Sequence, residues 1–354
     1  MTDPNNITPD EMILERPFTS SRRRWKTLGV VIFVAIVIYV VWWFWLAETV
    51  REQINVWIDN NRMDGRDIQM ARLDVDGFLG WLDIQAEDVQ IVDTAAGWRL
   101  RVPGITATMA PWKIDEIDGN FTGPMNLAVA KGPALNTYII ETSSNTWAVD
   151  RDQGGRVRLD LEGVAVSSNN DKGVLKVANL KAFLIRGSVP IYGGLNLKVR
   201  DITLPALAQS PFGSNVKNIE AHLELIGGAP PGNLTAPELT QWANRGGTVE
   251  VRSLRIIHGT LGLDGDGTMA LDGRLQPVCA FSARVTGYDA ALNQLIQAGL
   301  VRSSDGNIAK MILGALGKVP AGGGPKQIDV PISVQDQRLS IGPIPLMRVP
   351  AILW

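Results

Sequence analysis

The stretch from Leu28 to Ala47 constrains this chain more than any other part of its sequence. It reads LGVVIFVAIVIYVVWWFWLA and contains no charged residue. A helix rises about 1.5 Å per residue, so a stretch of this length can cross a hydrocarbon core about 30 Å thick. We therefore predict one transmembrane helix near the N-terminus.

Basic residues on the two sides of this stretch predict its orientation. Few follow it, since Arg51 and Arg62 are the first two, whereas several precede it. Because positively charged flanks stay in the cytoplasm, the N-terminus is predicted to be cytoplasmic and the bulk of the chain periplasmic, anchored in the inner membrane. The flanking residues assigned to this anchor are Arg22, Arg23, Arg24 and Lys26.

Three tryptophans stand at the other end of the apolar stretch. Trp42, Trp43 and Trp45 are typical of the interfacial aromatic belt of a membrane-spanning segment. A cleaved signal peptide would instead have a shorter apolar core of about 7–15 residues and a small-residue cleavage site. This difference favours an uncleaved signal anchor.

Two further alternatives for this region remain. The run from Ser21 to Lys26 resembles a twin-arginine export signal, but that motif requires a hydrophobic residue between Trp25 and Lys26 and a milder apolar core. A buried helix of a soluble protein would seldom be apolar all round over such a length. The anchor is the interpretation that we carry forward.

The anchor divides the chain into four segments. Residues 1–24 are predicted to be a disordered cytoplasmic tail, 25–47 the transmembrane signal anchor, 48–66 a helical linker and 67–354 a β-rich periplasmic domain. In the linker, Val50, Ile54, Trp57 and Ile58 recur at helical spacing, which predicts a helix up to about Met63. This apolar stripe would rest on the domain or on the membrane surface.

Beyond Ile68 the apolar residues alternate with polar ones. Val157, Leu159 and Leu161 alternate with charged residues, and similar runs recur along the chain. Such alternation is typical of strands with one packed face and one polar face, in antiparallel sheets. The predicted fold class is mainly β with minor α, in which a long, curved, largely antiparallel sheet forms a trough, a sandwich or a half-open barrel.

The alternation changes phase at three places. They are Glu87-Asp88, Pro103-Gly104 and Arg200-Asp201. A single extra residue absorbed within a strand, as in a β-bulge, would keep one face apolar and bend the sheet. A tight turn between two short strands would give the same pattern. The sequence leaves both alternatives open.

Helices are predicted at two places after the first strands. Thr235 and Pro237 open a short helix over 236–244 within the segment 227–245, which would either cover a sheet end or divide the domain into two lobes. Near the C-terminus, Leu292, Leu295 and their neighbours predict one helix, and a second begins after Asp305 as its cap. These two helices form a predicted helical hairpin.

The last residues are apolar and interrupted by prolines. Proline is excluded from the centre of a sheet, so this tail is predicted to pack as an extended cap or to dock a partner. The candidate docking residues are Ile344, Leu346, Ile352 and Trp354.

No catalytic, cofactor-binding or metal-binding motif is found. His222 and His258 lie in separate alternating runs, and Cys279 sits in an apolar run typical of a packed thiol. The sequence from Leu263 to Thr268 resembles a calcium loop but lacks the third oxygen ligand and the distal glutamate; its Asp-Gly predicts a hairpin turn instead. A net charge of −2 gives no basic surface for nucleic acid. We do not expect an enzyme.

Several segments resemble a known family. DVDGFLGWLDIQAEDVQIVD, GTLGLDGDGTMALDGRLQPVCAFSARVTGYDAALNQLIQAGL and the closing QRLSIGPIPL are similar to an uncharacterised, mostly alphaproteobacterial family, domain of unknown function 2125. More distantly, the C-terminal arrangement resembles AsmA-like envelope proteins, which implies a curved sheet whose apolar groove carries lipid. This chain is shorter than the AsmA-like proteins that bridge two membranes.

Two functions follow as expectations. In the first, the bilayer holds the N-terminal helix while the sheet binds a lipid or another hydrophobic ligand in a groove. In the second, the protein is a structural or assembly factor of the cell envelope that binds a protein partner through a sheet edge or the apolar tail.

Overall fold

A computed structural model describes residues 21–352, apart from 64, 79, 132–133, 153–154, 171–172, 188–190, 206–209, 229–234, 322 and 343. One long helix comes first, and the strands that follow join into a single sheet. The predicted fold class is therefore confirmed, and the sheet is not closed into a barrel. Most of the predicted tail lies outside the described residues.

The helices are α1 (Ser21–Met63), α2 (Ala236–Asn244), α3 (Tyr288–Gln297) and α4 (Ser303–Leu316). The strands are β1 (Arg66–Gln69), β2 (Arg72–Phe78), β3 (Trp81–Asp93), β4 (Trp98–Ala110), β5 (Lys113–Thr122), β6 (Met125–Lys131), β7 (Ala134–Glu141), β8 (Ser144–Asp150), β9 (Arg156–Ser168), β10 (Val174–Arg186), β11 (Ile191–Thr203), β12 (Asn215–Ile226), β13 (Thr248–His258), β14 (Leu261–Leu271), β15 (Pro277–Thr286), β16 (Gln327–Gln335), β17 (Arg338–Ile341) and β18 (Ile344–Arg348).

The sheet is an antiparallel meander. Three pairs of short strands lie end to end and share one position each: β1 with β2, β5 with β6, and β7 with β8. From β9 to β18 every strand pairs with the next one in the chain. β12 and β13 pair along their length although α2 separates them in sequence. The insertion of segment 227–245 therefore does not interrupt the sheet.

A line of irregular residues crosses the first nine strand positions. The ladder omits the Asp88–Pro103 pair between β3 and β4, and it omits Ala178–Asp201 between β10 and β11. All four strands continue on each side of these positions, so the predicted phase changes lie within continuous strands and the tight-turn alternative is wrong. The register aligns the irregular residues on this line, which we call the crease: Ala71, Asp88, Pro103, Gly123, Ser143, Gly163, Ala178, Asp201 and Lys217.

Every second residue on the crease has a positive φ angle. The values are 48° at Asp88, 74° at Gly123, 57° at Gly163 and 49° at Asp201. A left-handed residue in an otherwise extended strand shifts the side-chain alternation by one position. As a result, the same face of the sheet stays apolar on both sides of the crease.

The helices lie close to where the sequence predicts them. α1 ends at Met63, and the Gly65 amide donates a hydrogen bond to the Arg62 carbonyl. α2 spans the predicted residues, with Leu239 and Trp242 buried. The Asp305 cap is wrong, because α4 begins at Ser303 and Asp305 lies in its first turn.

The hairpin turn predicted at the Asp-Gly of Leu263–Thr268 is wrong. β14 runs through this segment, and Gly265 and Gly267 lie on the apolar face of the sheet. A Cβ atom at Gly267 would lie 2.2 Å from the Ala280 carbonyl oxygen and 2.7 Å from Cδ1 of Phe281. Glycine is required here for close packing rather than for a turn.

Candidate functional site

The apolar face of the sheet is the candidate site. One transverse row of facing residues, which we call the outer row, is apolar from β3 to β17. Its members, in order across the sheet, are Leu82, Met109, Ile117, Val149, Val157, Leu184, Leu195, Leu223, Val251, Gly267, Phe281, Ile332 and Ile341. The alternation in each strand thus becomes one continuous apolar surface.

Accessibility along the outer row rises towards its middle. Leu82 and Met109 at one end are buried, as is Val251 towards the other. Between them the residues are partly accessible, and Leu184 is 45% exposed. The middle of the row is therefore an apolar surface that the described residues leave accessible.

α1 covers the first end of this face. Trp43, Leu46 and Ala47 are buried in one cluster with Val75, Leu82 and Met109, and Val50 packs against it. Ile58, further along the linker, is also buried, whereas Trp57 is exposed. The domain is therefore the surface on which much of the linker stripe rests.

The α3–α4 hairpin covers the opposite end. Tyr288 and Leu292 from α3 and Ala309 and Leu313 from α4 pack on β15 and β16 in one buried cluster. α3 and α4 do not fill all the space between themselves and the sheet. A cavity of about 230 Å³ remains between it and the sheet, and Ile332 and Ile341 of the outer row line it. The cavity therefore continues the apolar face beneath the helices.

The cavity is almost purely apolar in its chemistry. Its lining consists of aliphatic and aromatic side chains, and the Tyr288 hydroxyl is the one polar side-chain group among them. Tyr288 is 4% exposed, and its hydroxyl oxygen has no hydrogen-bond partner among the described residues. Ligand pockets that enclose drug-sized molecules are usually about 300–1,000 Å³. This smaller space suits the end of a hydrocarbon chain.

The opposite face of the sheet carries alternating charges. Ion pairs join neighbouring strands at Asp160–Lys181 (2.5 Å), Lys198–Glu220 (2.5 Å), Arg255–Asp264 (2.5 Å) and Arg284–Asp329 (3.0 Å). The hydrogen bond from Lys198 lowers the pKa of Glu220, and the hydrogen bond to Asp264 raises the pKa of Arg255. Exposed ion pairs contribute little to stability because water and salt screen them, so this row identifies the solvent face rather than the source of stability.

The predicted anchoring residues all lie on α1. Arg22, Arg23, Arg24 and Lys26 are in its first turns. Trp42 and Trp45 are exposed, whereas Trp43 is buried against the sheet. Trp43 therefore joins the helix to the domain, and the anchoring role of the set stays a prediction.

The predicted docking tail forms the last strand of the sheet. Ile344 and Leu346 belong to β18, which pairs with β17. The backbone of Ile352 is hydrogen-bonded to the side chain of Gln276. The Ile352 amide donates to Gln276 Oε1 (2.8 Å), and the Ile352 carbonyl accepts from Gln276 Nε2 (3.0 Å). Trp354 lies outside the described residues. No contact tests the docking role, which stays a prediction.

The histidines and the cysteine are placed apart from one another. Nε2 of His258 lies 2.9 Å from the Gly213 carbonyl oxygen, and Nε2 of His222 lies 3.8 Å from Oε1 of Glu224. Burial raises the pKa of the Cys279 thiol, which disfavours the nucleophilic thiolate. Among the described residues, no group of three or more potential ligands is close enough to hold a metal ion.

Two exposed aromatic residues at the α1 end were missed by the sequence analysis. Trp81 begins β3, Trp112 lies in the β4–β5 turn, and their ring centroids are 6.4 Å apart. Each is a single tryptophan beside a turn, which gives no periodic signal. Only strand pairing shows that they meet.

The arrangement of sheet and helices can be compared with known proteins. A family model for uncharacterised proteins conserved in bacteria, DUF2125, matches residues 43–350. The chain belongs to the DUF2125 family. The match begins at Trp43, an α1 residue that is buried against the sheet, and it includes all eighteen strands of the described part of the chain. No curated protein and no solved structure matches the chain. The AsmA-like resemblance therefore stays a prediction.

Proposed function

We propose that this DUF2125 protein is anchored in the inner membrane by α1 and binds lipid, or another hydrophobic ligand, on the apolar face of its periplasmic sheet. The role is binding rather than catalysis. Its main support is the accessible middle of the outer row, because contiguous exposed apolar surface in a soluble domain usually indicates a binding site.

The anchor is supported by the properties of α1. It contains a segment apolar and long enough to cross a bilayer, and four basic residues of α1 precede that segment whereas two follow it. We expect a C-terminal alkaline phosphatase fusion to be active and a C-terminal green fluorescent protein fusion to be dark, as for a periplasmic C-terminus. The reverse pattern would refute this orientation.

The face suits a hydrocarbon chain better than a polar ligand. The outer row offers van der Waals contact and apolar burial worth about 25 cal/mol per Å². It leads at one end into the cavity beneath α3 and α4. A chain lying along the row could place its end there, while its headgroup remained in water.

Two apolar residues of β10 provide a matched test. Leu184 is 45% exposed on the outer row, and Val174 is 38% exposed on the opposite face. The full chain is placed in nanodiscs that contain a phosphatidylethanolamine with a diazirine in its acyl chain, and the cross-linked peptides are mapped. We expect cross-links in β10–β12 to fall several-fold in Leu184→Lys and to persist in Val174→Lys, because only the first change puts charge on the apolar face.

Cross-links to α1 serve as the internal control for this experiment. They depend on the anchor and not on the groove. Wild-type protein that cross-links through α1 but not through β10–β12 would refute lipid binding by the sheet. Equal loss in both variants would show that the cross-links do not report on the apolar face.

A further inference from the structure

α1 runs beside the first strands and leaves the sheet at one defined end. Near its C-terminus, Arg62 lies 3.4 Å from Asp67 at the start of the sheet. Trp43, nineteen residues earlier, packs on Val75 and Leu82 near the β2–β3 turn. The helix therefore extends beyond the sheet past this turn.

The length of α1 places the membrane surface near the same turn. The apolar stretch ends at Ala47, but its last turn from Trp43 to Ala47 is occupied by the sheet. Residues 28–42 alone are about 22 Å long, which is less than a hydrocarbon core of about 30 Å. If α1 spans the bilayer, this end of the sheet has to reach the membrane interface.

Exposed aromatic residues are found at this end. Trp81 is 59% exposed and Trp112 is 65% exposed, and the two rings are in contact. Ile114, just after Trp112, is also exposed. Tryptophan is enriched at the headgroup level of bilayers because its ring is amphipathic.

Charged groups set back from the two turns limit how deeply they can enter. Asp83 lies two residues beyond Trp81 and opposes Asp76 across the β2–β3 hairpin. Lys113, next to Trp112, forms a 3.0 Å ion pair with Glu116. At about 3.3 Å per residue, Asp83 and Lys113 lie within about 7 Å of Trp81 and Trp112 along the chain, so only the hairpin tips can enter the interface.

We propose that the β2–β3 and β4–β5 tips, through Trp81 and Trp112, bind the headgroup interface of the bilayer that α1 crosses and so fix the sheet against the membrane. This inference rests on the proposed anchor but not on ligand binding by the sheet. The surface that the tips bind is the same bilayer that α1 crosses, because α1 leaves the sheet at the end of the domain where the tips lie.

Single-cysteine labelling measures the depth of the tips. In a Cys279→Ser background, Lys113→Cys reports on the tips, Ala95→Cys on the exposed turn at the opposite end of β3, and Ile36→Cys on the middle of the span. Each full-length variant carries an environment-sensitive fluorophore in nanodiscs of phosphatidylethanolamine and phosphatidylglycerol. Quenching is compared for lipids with a nitroxide on the headgroup or deep in the acyl chain.

We expect headgroup nitroxide to quench the label at position 113 but not at 95, and the deep nitroxide to quench position 36. Trp81→Ser combined with Trp112→Ser should weaken quenching at 113, whereas Trp57→Ser, which removes a 54% exposed tryptophan from α1, should not. Quenching at 36 with equal signals at 113 and 95 would overturn the tip contact alone. Absence of quenching at 36 would overturn the anchor and the tip contact together.

Discussion

Asp88 and Asp201 adopt a left-handed backbone that few side chains tolerate. Their φ angles are 48° and 49°, within strands that are otherwise extended. Aspartate accepts this region better than most residues because its short polar side chain can bond locally. At Asp88 the hydrogen bond from Arg101 also lowers the pKa of the carboxyl group. The crease therefore depends on residue type at a few positions.

Substitution of Asp201 tests this dependence, since its side chain forms no ion pair with any residue that the structure describes. We expect the free energy of opening β11 to be about 1–2 kcal/mol lower in the Asp201→Val variant than in the Asp201→Gly variant. The reason is that a β-branched residue is strained at positive φ. Hydrogen exchange of β11 peptides measures this difference. Arg200→Val, at an exposed neighbour with ordinary φ, should change the opening free energy by less than about 0.5 kcal/mol. Equal effects at 200 and 201 would contradict the argument.

At the scale of single elements, much of the structure could be predicted from the sequence. The length and hydropathy of α1, the bounds of α2 and the alternation in the strands are local properties, and each was read correctly. The Asp-Gly pair at 264–265 was not, because an isolated Asp-Gly favours a turn. Its real role depends on Ala280 and Phe281 in the next strand. The local sequence pattern around the Asp-Gly pair cannot show this contact with the next strand.

The candidate site was predictable only in outline. The alternation predicts an apolar face, and the phase changes at Asp88 and Asp201 predict either bends within strands or tight turns between them. The alignment of these bends into one crease depends on which strands pair, and at which register. The meeting of Trp81 and Trp112 depends on the same information. Both arise from contacts between distant parts of the chain, which one sequence does not specify.

The whole molecule differs from a compact domain in how its core is distributed. Among the described residues, the buried apolar side chains form four separate clusters, each built on neighbouring strands, and two of them include residues of the helices that cover those strands. The cluster beneath α1 and the cluster beneath α3 and α4 share no described residue. An extended sheet with separate clusters should resemble a repeat protein, in which stability is transmitted mainly between neighbours.

Matched truncations at the two ends test this view. Leu82 is fully buried beneath α1 and Leu313 is buried beneath the hairpin, so replacing either with alanine should cost about 2–5 kcal/mol locally. We expect Leu82→Ala to reduce hydrogen-exchange protection in α1 and β2–β5, and Leu313→Ala in α3, α4 and β14–β17. Val174→Ala, at an exposed site in mid-sheet, should affect neither end. A uniform loss across all strands would indicate one cooperative core, and the sheet would then be too strongly coupled for its middle to adapt to a ligand independently of its ends.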